Sequence, residues 1–369
     1  MNRLQQLKNF GQFVWLDYIR RDLITSGELQ RLIREDGVGG ITSNPTIFAK
    51  AIANSDDYDE EIRSLLTLHP EIGVEALFEK LEVHDIQMAA DEFLPVYERT
   101  NGADGFASLE VSPRLAYDPE ESVAQAHRLW REVNRPNVMI KIPATPQGMH
   151  AIEALTRDGI NVNVTLIFSL SQFTSAAKAY IRGLEQNANP GKVSSVASFF
   201  LSRVDTAVDK ALDDIGTAEA LAVKGHTAVA NAKLAYIRFN EIFLGEGFQG
   251  LKQRGAVIQR PLWASTGTKN SAYSDLLYVE NLIGNHTITS MPPATMAAYR
   301  DHGVATATLE GEVDQAFDVM AVLERMEISL RSIAQSLLVE GVDSFSKSYD
   351  ELLQVLEAKR RRFLAEKAA

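Results

Sequence analysis

The chain has 369 residues, of which 45% are hydrophobic and 23% are charged, a composition that excludes disordered, collagen-like and coiled-coil proteins. The 37 Lys and Arg residues against 49 Asp and Glu residues give a formal net charge of −12, which disfavours nonspecific attraction to nucleic acid or anionic lipid. There is no cysteine, so disulfides, thiolate metal ligands and a cysteine nucleophile are excluded.

Neither a leader peptide nor a membrane-spanning segment is recognisable. The first nine residues are largely polar, Asp17 interrupts the first apolar stretch, and no run of about 18 apolar residues occurs. We therefore expect a cytoplasmic protein whose partners include neither a membrane nor a nucleic acid. Length alone leaves one domain or two open, because α/β barrels often exceed about 250 residues as one unit.

Short apolar runs rich in Val, Ile and Phe alternate with longer stretches of helical periodicity, which is typical of the βα units of a parallel sheet. We predict eight strands, at residues 13–19, 39–43, 106–112, 137–144, 161–168, 195–201, 261–266 and 286–291. Eight such units favour a closed α/β architecture, the (β/α)8 TIM barrel, with additional helices.

Helix starts are predicted from capping residues after three of these strands: Thr25 with Glu28, Asp118 with Pro119, and Ser169 with Gln172. The long connections 44–103 and 202–260 are predicted to hold the additional helices. The Gly-rich stretch 245–255 is interpreted as a surface loop. The basic run at 359–362 is interpreted as a solvated face near the end of the last helix.

Polar and ionisable residues occur at or near the C-terminal ends of the predicted strands, where the active sites of such barrels lie. One closed sheet would gather ten of them: Asp17, Asn44, Glu110, Lys141, Asn163, Thr165, Ser198, Arg203, Ser265 and Lys269.

Lys141 places an amine inside the apolar run VMIKIPA. A charged ammonium there is costly, and desolvation favours the neutral amine, which can attack a ketone to form a Schiff base. A lysine whose ammonium reaches outward or pairs with a buried carboxylate is the alternative. The local pattern leaves both interpretations open.

Asp17 and Glu110 are acids within β-like runs, and two carboxylates beside one amine suit the proton transfers of imine formation and carbon–carbon cleavage. Each could instead neutralise Lys141 or cap a helix. Nearby carboxylates raise the pKa of a lysine while burial lowers it, so the titrations of the three groups would be coupled.

Arg203, Ser265 and Lys269 follow the sixth and seventh predicted strands, where barrels often hold phosphate groups. Arginine can donate bidentate hydrogen bonds to phosphate oxygens. The alternative is that the arginine and the lysine are solvated surface side chains. The seven histidines show no metal-ligand spacing, so we expect no zinc site.

Two segments resemble the signature segments of the transaldolases: GITSNPTIF at 40–48 and VMIKIPATPQG at 138–148. Further stretches are similar to transaldolase segments in the same order: SLEVSPRLAYD at 108–118, NVTLIFS at 163–169, SFFLSR at 198–203 and WASTGTKN at 263–270. The resemblance therefore spans nearly the whole chain. It is to the larger subgroup of that family, because of the long segment 205–260.

The resemblance implies a single barrel domain over residues 1–369, with C-terminal helices at about 312–367 packing on the barrel. It implies a Schiff-base transferase of the non-oxidative pentose phosphate pathway that moves a dihydroxyacetone unit from sedoheptulose 7-phosphate to glyceraldehyde 3-phosphate. Neither a metal nor an organic cofactor is implied. A homo-oligomer is left open.

By the same resemblance, Lys141 forms the imine, Asp17 takes the proton of the donor C4 hydroxyl, and Glu110, with Thr165 and a water, shuttles protons during dehydration. The matched substrate-binding residues are Asn44, Asn163 and Ser198 for the dihydroxyacetone hydroxyls, and Arg203, Ser265 and Lys269 for the phosphate. Many family members carry Arg in the phosphate loop, where this chain has Thr-Gly-Thr-Lys at 266–269.

Two alternative functions remain. The first is a related aldolase that cleaves fructose 6-phosphate to free dihydroxyacetone and glyceraldehyde 3-phosphate, a subgroup that typically has Gln at the position of Glu110. The second is a barrel that binds phosphosugars without catalysis.

Overall fold

The computed structural model describes residues 2–53 and 55–368. Its strands form one closed parallel barrel in chain order, in which each strand pairs with the next and β8 pairs with β1. The strands are β1 (Gln12–Asp17), β2 (Gly40–Thr42), β3 (Phe106–Glu110), β4 (Val138–Pro143), β5 (Val162–Ile167), β6 (Ser195–Phe200), β7 (Gln259–Ala264) and β8 (Thr287–Met291). The predicted (β/α)8 barrel is confirmed.

Helices surround the barrel. They are α1 (Arg3–Gln6), α2 (Arg21–Thr25), α3 (Glu28–Arg31), α4 (Pro45–Ala53), α5 (Asp59–Leu68), α6 (Val74–Arg99), α7 (Pro119–Val133), α8 (Pro146–Arg157), α9 (Leu170–Gln186), α10 (Ser202–Ile215), α11 (Ala218–Ala222), α12 (Thr227–Phe239), α13 (Gln249–Gln253), α14 (Leu277–Glu280), α15 (Pro293–His302), α16 (Val313–Arg325) and α17 (Leu330–Ala368). Both long connections carry the additional helices predicted for them.

Two of the three predicted helix starts are confirmed. The Asp118 side chain accepts a hydrogen bond from the backbone N–H of Glu121, and the Ser169 side chain accepts one from Gln172. The capping box at Thr25 is wrong, because Thr25 is the last residue of α2 and its hydroxyl donates to the carbonyl of Arg21. The chain then turns through Gly27, whose φ of 81° lies in the left-handed region, before α3 begins.

Two further sequence interpretations hold only in part. The stretch 245–255 is mostly helical, with a 3-10 turn at Glu246–Phe248 followed by α13, because Phe248 and Leu251 are buried and hold it on the core. The basic run at 359–362 is solvated only in part, because Arg361 and Arg362 are 77% and 53% exposed whereas Lys359 and Arg360 are 13% and 19% exposed. Lys359 Nζ and the Arg362 guanidinium both donate to the Asp59 carboxylate, at 2.6 and 3.0 Å.

The barrel interior is layered because successive side chains of a strand point to opposite faces. One apolar cluster fills its lower part with Trp15, Phe106, Met139, Val196, Leu262 and Ile288, and reaches the C-terminal end at Ala264. Two residues further along four of these strands the side chains are polar: Asp17, Ser108, Lys141 and Ser198. The alternation therefore puts a polar layer above an apolar floor, at the C-terminal end of the barrel.

The C-terminal helix α17 runs across that end. The Thr46 and Ser348 hydroxyls are 2.8 Å apart, which joins α17 to α4, and Phe345 is 5% exposed. A Cβ built on Gly341 would lie 3.0 Å from the Leu166 side chain, so a glycine at this position lets α17 approach β5 closely. No helix among the described residues is long and apolar enough to cross a membrane.

Candidate active site

A cavity of about 110 Å³ opens at the C-terminal end of the barrel. Side chains from seven of the eight strands, the segments that follow them and α17 line it: Asp17, Thr42, Asn44, Lys141, Thr165, Ser198, Phe200, Arg203, Leu262, Ala264, Ser265, Ser290 and Phe345. Seven of the ten predicted site residues are in this lining. Glu110 and Asn163 stand behind it and contact residues that line it, whereas Lys269 lines a neighbouring cavity.

Lys141 projects into the cavity from the middle of β4. All six residues of this strand are buried, and Lys141 itself is 5% exposed. Its Nζ donates to Glu110 Oε2 at 2.8 Å and to the backbone carbonyl of Ser43 at 2.7 Å. The amine is therefore held at a fixed point in the wall, facing the cavity rather than the medium.

Glu110 is the paired neighbour of Lys141 in the register between β3 and β4, and it is 6% exposed. Burial raises the pKa of the Glu110 carboxyl above its ordinary value, while the charge and hydrogen bond of Lys141 offset part of that rise. A carboxyl whose pKa moves toward neutrality exchanges protons more readily at neutral pH. Glu110 is therefore suited to move protons next to the amine.

Asp17 lines the cavity from the end of β1, three strands away from Lys141 in the barrel order. Burial in the barrel wall raises the pKa of its carboxyl, and the Lys141 cation and a hydrogen bond from Thr42 offset part of the effect. Thr42 Oγ1 lies 2.9 Å from Asp17 Oδ1 and 3.3 Å from Ser290 Oγ. These contacts orient the Asp17 carboxylate toward the cavity.

Thr165 occupies an irregular part of β5, where the register with β6 shifts between Val164 and Ile167 and Leu166 adopts a φ of 59°. A bulge of this kind redirects side chains, and such features are common next to active sites. Thr165 Oγ1 is buried and has no hydrogen-bond partner among the described protein atoms. An unpaired buried hydroxyl in a cavity wall is a ready binding group for a polar ligand.

Amide and hydroxyl side chains form a short network beside the amine. Ser198 Oγ donates to Asn163 Oδ1 at 2.7 Å, and Asn163 Nδ2 donates to Ser108 Oγ at 3.1 Å. On the other side, Asn44 Oδ1 accepts from the backbone N–H of Ile47 at 3.0 Å, which fixes Asn44 at the start of α4. The network supplies donors and acceptors suited to sugar hydroxyls.

Arg203 carries the positive charge at the mouth of the cavity. Its guanidinium carbon is 5.8 Å from the ring centroid of Phe200 and 5.9 Å from that of Phe345. Burial lowers the pKa of this guanidinium. No carboxylate of the described residues lies within 4.0 Å of it, whereas Arg21, another largely buried arginine, pairs with Glu61 and Asp85. An unpaired, partly desolvated arginine favours an anionic ligand.

Ser265 directly follows β7 and lines the same cavity as Arg203. Its φ of 56° is left-handed, which ends β7 two residues earlier than predicted and is strained for a residue with a side chain. Ser265 Oγ lies 2.7 Å from Ser202 Oγ at the start of α10. Lys269 is exposed, but its charge still lowers the pKa of Asp17, so it is within electrostatic reach of the cavity.

Sequence reasoning missed several residues of the lining. Thr42 and Ser290 carried a usable signal, because each is polar and sits near the C-terminal end of a strand. Phe200 follows Ser198 by two residues, so its direction was available from the strand period. Phe345 carried no such signal, since only the docking of α17 brings it there. No group of three or more His, Asp or Glu side chains within 2–53 and 55–368 could hold a metal ion.

Comparison with known proteins gives matches to a single family along nearly the whole chain. The family model for transaldolase/fructose-6-phosphate aldolase matches residues 14–356. The transaldolase of Thiobacillus denitrificans is 48% identical over 357 residues, covering 96% of this chain and 99% of the relative. That of Thermobifida fusca is 49% identical over 355 residues, with 95% and 96% covered, and that of Mycobacterium ulcerans is 45% identical over 361 residues, with 96% of each covered.

Proposed function

The chain belongs to the transaldolase/fructose-6-phosphate aldolase family and is an enzyme with transaldolase function, and from this premise we propose how its site performs the reaction. The proposal is that Lys141 forms a Schiff base with sedoheptulose 7-phosphate and passes a dihydroxyacetone unit to glyceraldehyde 3-phosphate. The observation that carries it is the buried Lys141 amine, which faces a cavity with the carboxylates of Glu110 and Asp17 on two sides of it.

In the first half-reaction the Lys141 amine adds to the C2 carbonyl of the ketose. Loss of water from the resulting carbinolamine gives a protonated imine, and Glu110, with Thr165 and a water, moves the protons of this step. The support is the 2.8 Å contact between Lys141 Nζ and Glu110 Oε2, together with the unpaired Thr165 hydroxyl.

Cleavage then requires a base at the donor C4 hydroxyl. Asp17 takes that proton, the bond between C3 and C4 breaks, and erythrose 4-phosphate leaves while the electron pair enters the imine to form a neutral enamine. The enamine attacks the aldehyde carbon of glyceraldehyde 3-phosphate, and the new alkoxide regains a proton from Asp17. Hydrolysis of the imine releases fructose 6-phosphate and restores Lys141.

Substrate recognition divides between the two sides of the cavity. Asn44, Asn163 and Ser198 are proposed to bind the dihydroxyacetone hydroxyls, because they lie in or directly behind the wall next to Lys141. Arg203, Ser265 and Lys269 are proposed to bind the phosphate at the mouth. The unpaired guanidinium of Arg203 is the strongest support for this assignment.

Borohydride reduction in the presence of fructose 6-phosphate tests the proposal. We expect a reduced adduct on the peptide that contains Lys141, and transfer to erythrose 4-phosphate in a coupled assay. Rapid release of free dihydroxyacetone without any acceptor would instead favour the aldolase. An unmodified Lys141 with fructose 6-phosphate binding intact would favour a non-catalytic binding barrel.

The proposal also covers domain organisation, cellular location and assembly. We propose that residues 1–369 act as one domain. Phosphorylated sugars do not cross membranes unaided, so a cytoplasmic location fits these substrates. A homo-oligomer is compatible with this proposal.

A further inference from the structure

Two tyrosines join the loop after β7 to helix α10. This loop, residues 265–276, leads from Ser265 through Lys269 into α14. Tyr273 in the loop donates its hydroxyl hydrogen to Asp209 Oδ2 at 2.6 Å, and Tyr278 in α14 donates to Asp205 Oδ2 at 2.9 Å. We call these two contacts the tyrosine clasp.

Both acceptors of the clasp lie on one face of α10, because residues four apart in a helix are neighbours. Asp205 and Asp209 are 1% and 8% exposed. Their second oxygens are also occupied: Asp205 Oδ1 accepts from the backbone N–H of Ala228 at 2.7 Å, and Asp209 Oδ1 accepts from that of Gly225 at 2.9 Å. Each carboxylate thus ties two separate segments to α10.

The packing at Gly225 is specific to the clasp. Gly225 has a φ of +74°, and a Cβ built on it would lie 2.8 Å from the Tyr273 ring. Only a residue without a side chain allows this backbone conformation and this approach together. The segment before α12 is therefore shaped to seat Tyr273 over Asp209.

The clasp and the proposed phosphate site share the same two elements. α10 begins at Ser202 and Arg203, and Ser202 contacts Ser265 through its hydroxyl at 2.7 Å and through its backbone N–H to the Ser265 carbonyl at 3.2 Å. The clasp holds α10 again within the next two turns, where Asp209 contacts Tyr273 of the loop and Asp205 contacts Tyr278 of α14, into which the loop leads. The relative position of Arg203 and Ser265 is thereby fixed from both sides.

Burying the carboxylates of Asp205 and Asp209 is energetically unfavourable, which indicates that they have a specific role. Burial raises the pKa of Asp205 to about 7, although the hydrogen bonds from Ala228 and Tyr278 oppose the rise. The strained φ of Ser265 likewise persists only where surrounding contacts determine it. The buried carboxylates and the strained Ser265 backbone both lie at the boundary of the phosphate site rather than elsewhere in the core.

We propose that Tyr273 and Tyr278, through Asp209 and Asp205, are positioning residues that hold the loop after β7 against α10, so that Arg203, Ser265 and Lys269 meet a phosphate group together. This inference rests on the proposed function, because it takes the substrate phosphate to bind between these two elements. The clasp residues themselves do not touch the substrate.

The test compares Tyr278→Phe and Tyr273→Phe with a matched control, Tyr58→Phe. Tyr58 also donates to a buried carboxylate, Asp85 Oδ2 at 2.8 Å, but it lies before α5 and outside the phosphate site. For each clasp variant we expect KM for fructose 6-phosphate to rise about three- to tenfold, because the lost hydrogen bond loosens the loop that carries Ser265 and Lys269 without removing any group that binds the phosphate. The values of kcat, and of kcat/KM for unphosphorylated fructose, stay within about twofold.

Titration calorimetry with inorganic phosphate gives a second readout that does not depend on turnover. We expect Kd for phosphate to rise by a similar factor in both clasp variants and to stay unchanged in Tyr58→Phe. A clasp variant that matches Tyr58→Phe, or that affects fructose and fructose 6-phosphate equally, overturns the inference. Absence of a borohydride adduct in the unsubstituted enzyme would instead reject the proposed function, and phosphate binding would still decide on the clasp.

Discussion

Lys141 Nζ donates to Glu110 Oε2 across 2.8 Å, and the two residues are directly paired in the register of β4 and β3. An ion pair of this kind is compatible with a structural role, because a buried carboxylate needs a partner. What distinguishes it is the cavity beside the amine, which Thr165, Ser198 and Asp17 also line. The pair therefore combines charge compensation at rest with access to a ketose.

Lys141→Met is expected to abolish borohydride trapping and turnover together, because Lys141 is the one lysine among the described residues that line the cavity. Breaking a buried pair costs about 3–5 kcal/mol, so the double variant Lys141→Met with Glu110→Gln serves to restore stability without restoring activity. Lys233→Met is the matched control. Lys233 is 4% exposed and donates to the Gly311 carbonyl at 2.6 Å, away from the barrel cavity.

Peptide mass spectrometry after reduction checks this prediction. The adduct should disappear in Lys141→Met and persist in Lys233→Met. Loss of the adduct in Lys233→Met, or turnover that persists in Lys141→Met, would contradict the assignment of Lys141 as the imine-forming amine.

Asp17→Asn is expected to slow carbon–carbon cleavage by about 10²- to 10⁴-fold, the usual range for loss of a general base. Imine formation does not need this carboxylate, so fructose 6-phosphate should still be trapped on Lys141. Single-turnover measurement of trapping and of erythrose 4-phosphate transfer separates the two steps. Full turnover in the variant would show that another group takes the C4 proton.

The same substitution should change stability in a pH-dependent way. Burial raises the pKa of the Asp17 carboxyl above its ordinary value of 3.8, so the folded state holds this proton more tightly than the unfolded state does. The stability of the unsubstituted enzyme therefore falls as pH rises from 3.8 through the folded-state pKa. Asparagine does not titrate, so Asp17→Asn should gain Tm relative to the unsubstituted enzyme at pH 8 but not at pH 3.5. A difference in Tm that is the same at both values would refute the desolvation argument.

Arg203→Ala is expected to raise KM for fructose 6-phosphate about 10- to 100-fold while kcat changes little, because a charged hydrogen bond contributes about 1.5–3 kcal/mol. Arg203→Lys keeps the charge but loses the bidentate geometry, so its KM should lie between that of the unsubstituted enzyme and that of Arg203→Ala. Unphosphorylated fructose should be used equally well by all three proteins. Arg182→Ala, which removes a surface pair with Glu153 at 2.6 Å, is the control.

Much of the fold and of the site could be predicted from the sequence, because two simple periodicities govern them. Apolar runs such as VMIKIPA mark strands that are buried on both faces, and a polar residue inside such a run must face a cavity or a partner. Lys141 satisfies both conditions, with Glu110 as the partner. The ends of the strands were harder to predict. The left-handed φ of Ser265 ends β7 early, and no local sequence pattern indicates this conformation.

Tertiary contacts decided what the local pattern could not. Thr25 and Glu28 have capping-box spacing, yet α2 ends at Thr25 because the chain turns at Gly27. Phe345 lies 76 residues after Lys269, the nearest predicted site residue along the chain. It reaches the cavity only because α17 crosses the end of the barrel, close to β5 at Gly341.

Phe345→Ala therefore tests the contribution of α17 to the reaction. The enamine must meet an aldehyde before a proton from water reaches its C3, and Phe345 closes the side of the cavity next to Arg203. Removing the ring admits water, so we expect acceptor-independent release of dihydroxyacetone to rise relative to transfer. Protonation at C3 and hydrolysis of the imine account for that product. A coupled assay for free dihydroxyacetone, with and without erythrose 4-phosphate, measures the ratio.

Phe363→Ala is the matched control for this last variant, because Phe363 is also a buried phenylalanine of α17, 4% exposed, but stacks with Arg63 and Arg362 far along the helix. Both substitutions remove a buried ring and are expected to cost about 3–5 kcal/mol of stability. Only Phe345→Ala should change the ratio of release to transfer. An equal change in both variants would trace the leak to general loosening of α17, and an unchanged ratio in Phe345→Ala would show that the ring does not exclude water from the enamine.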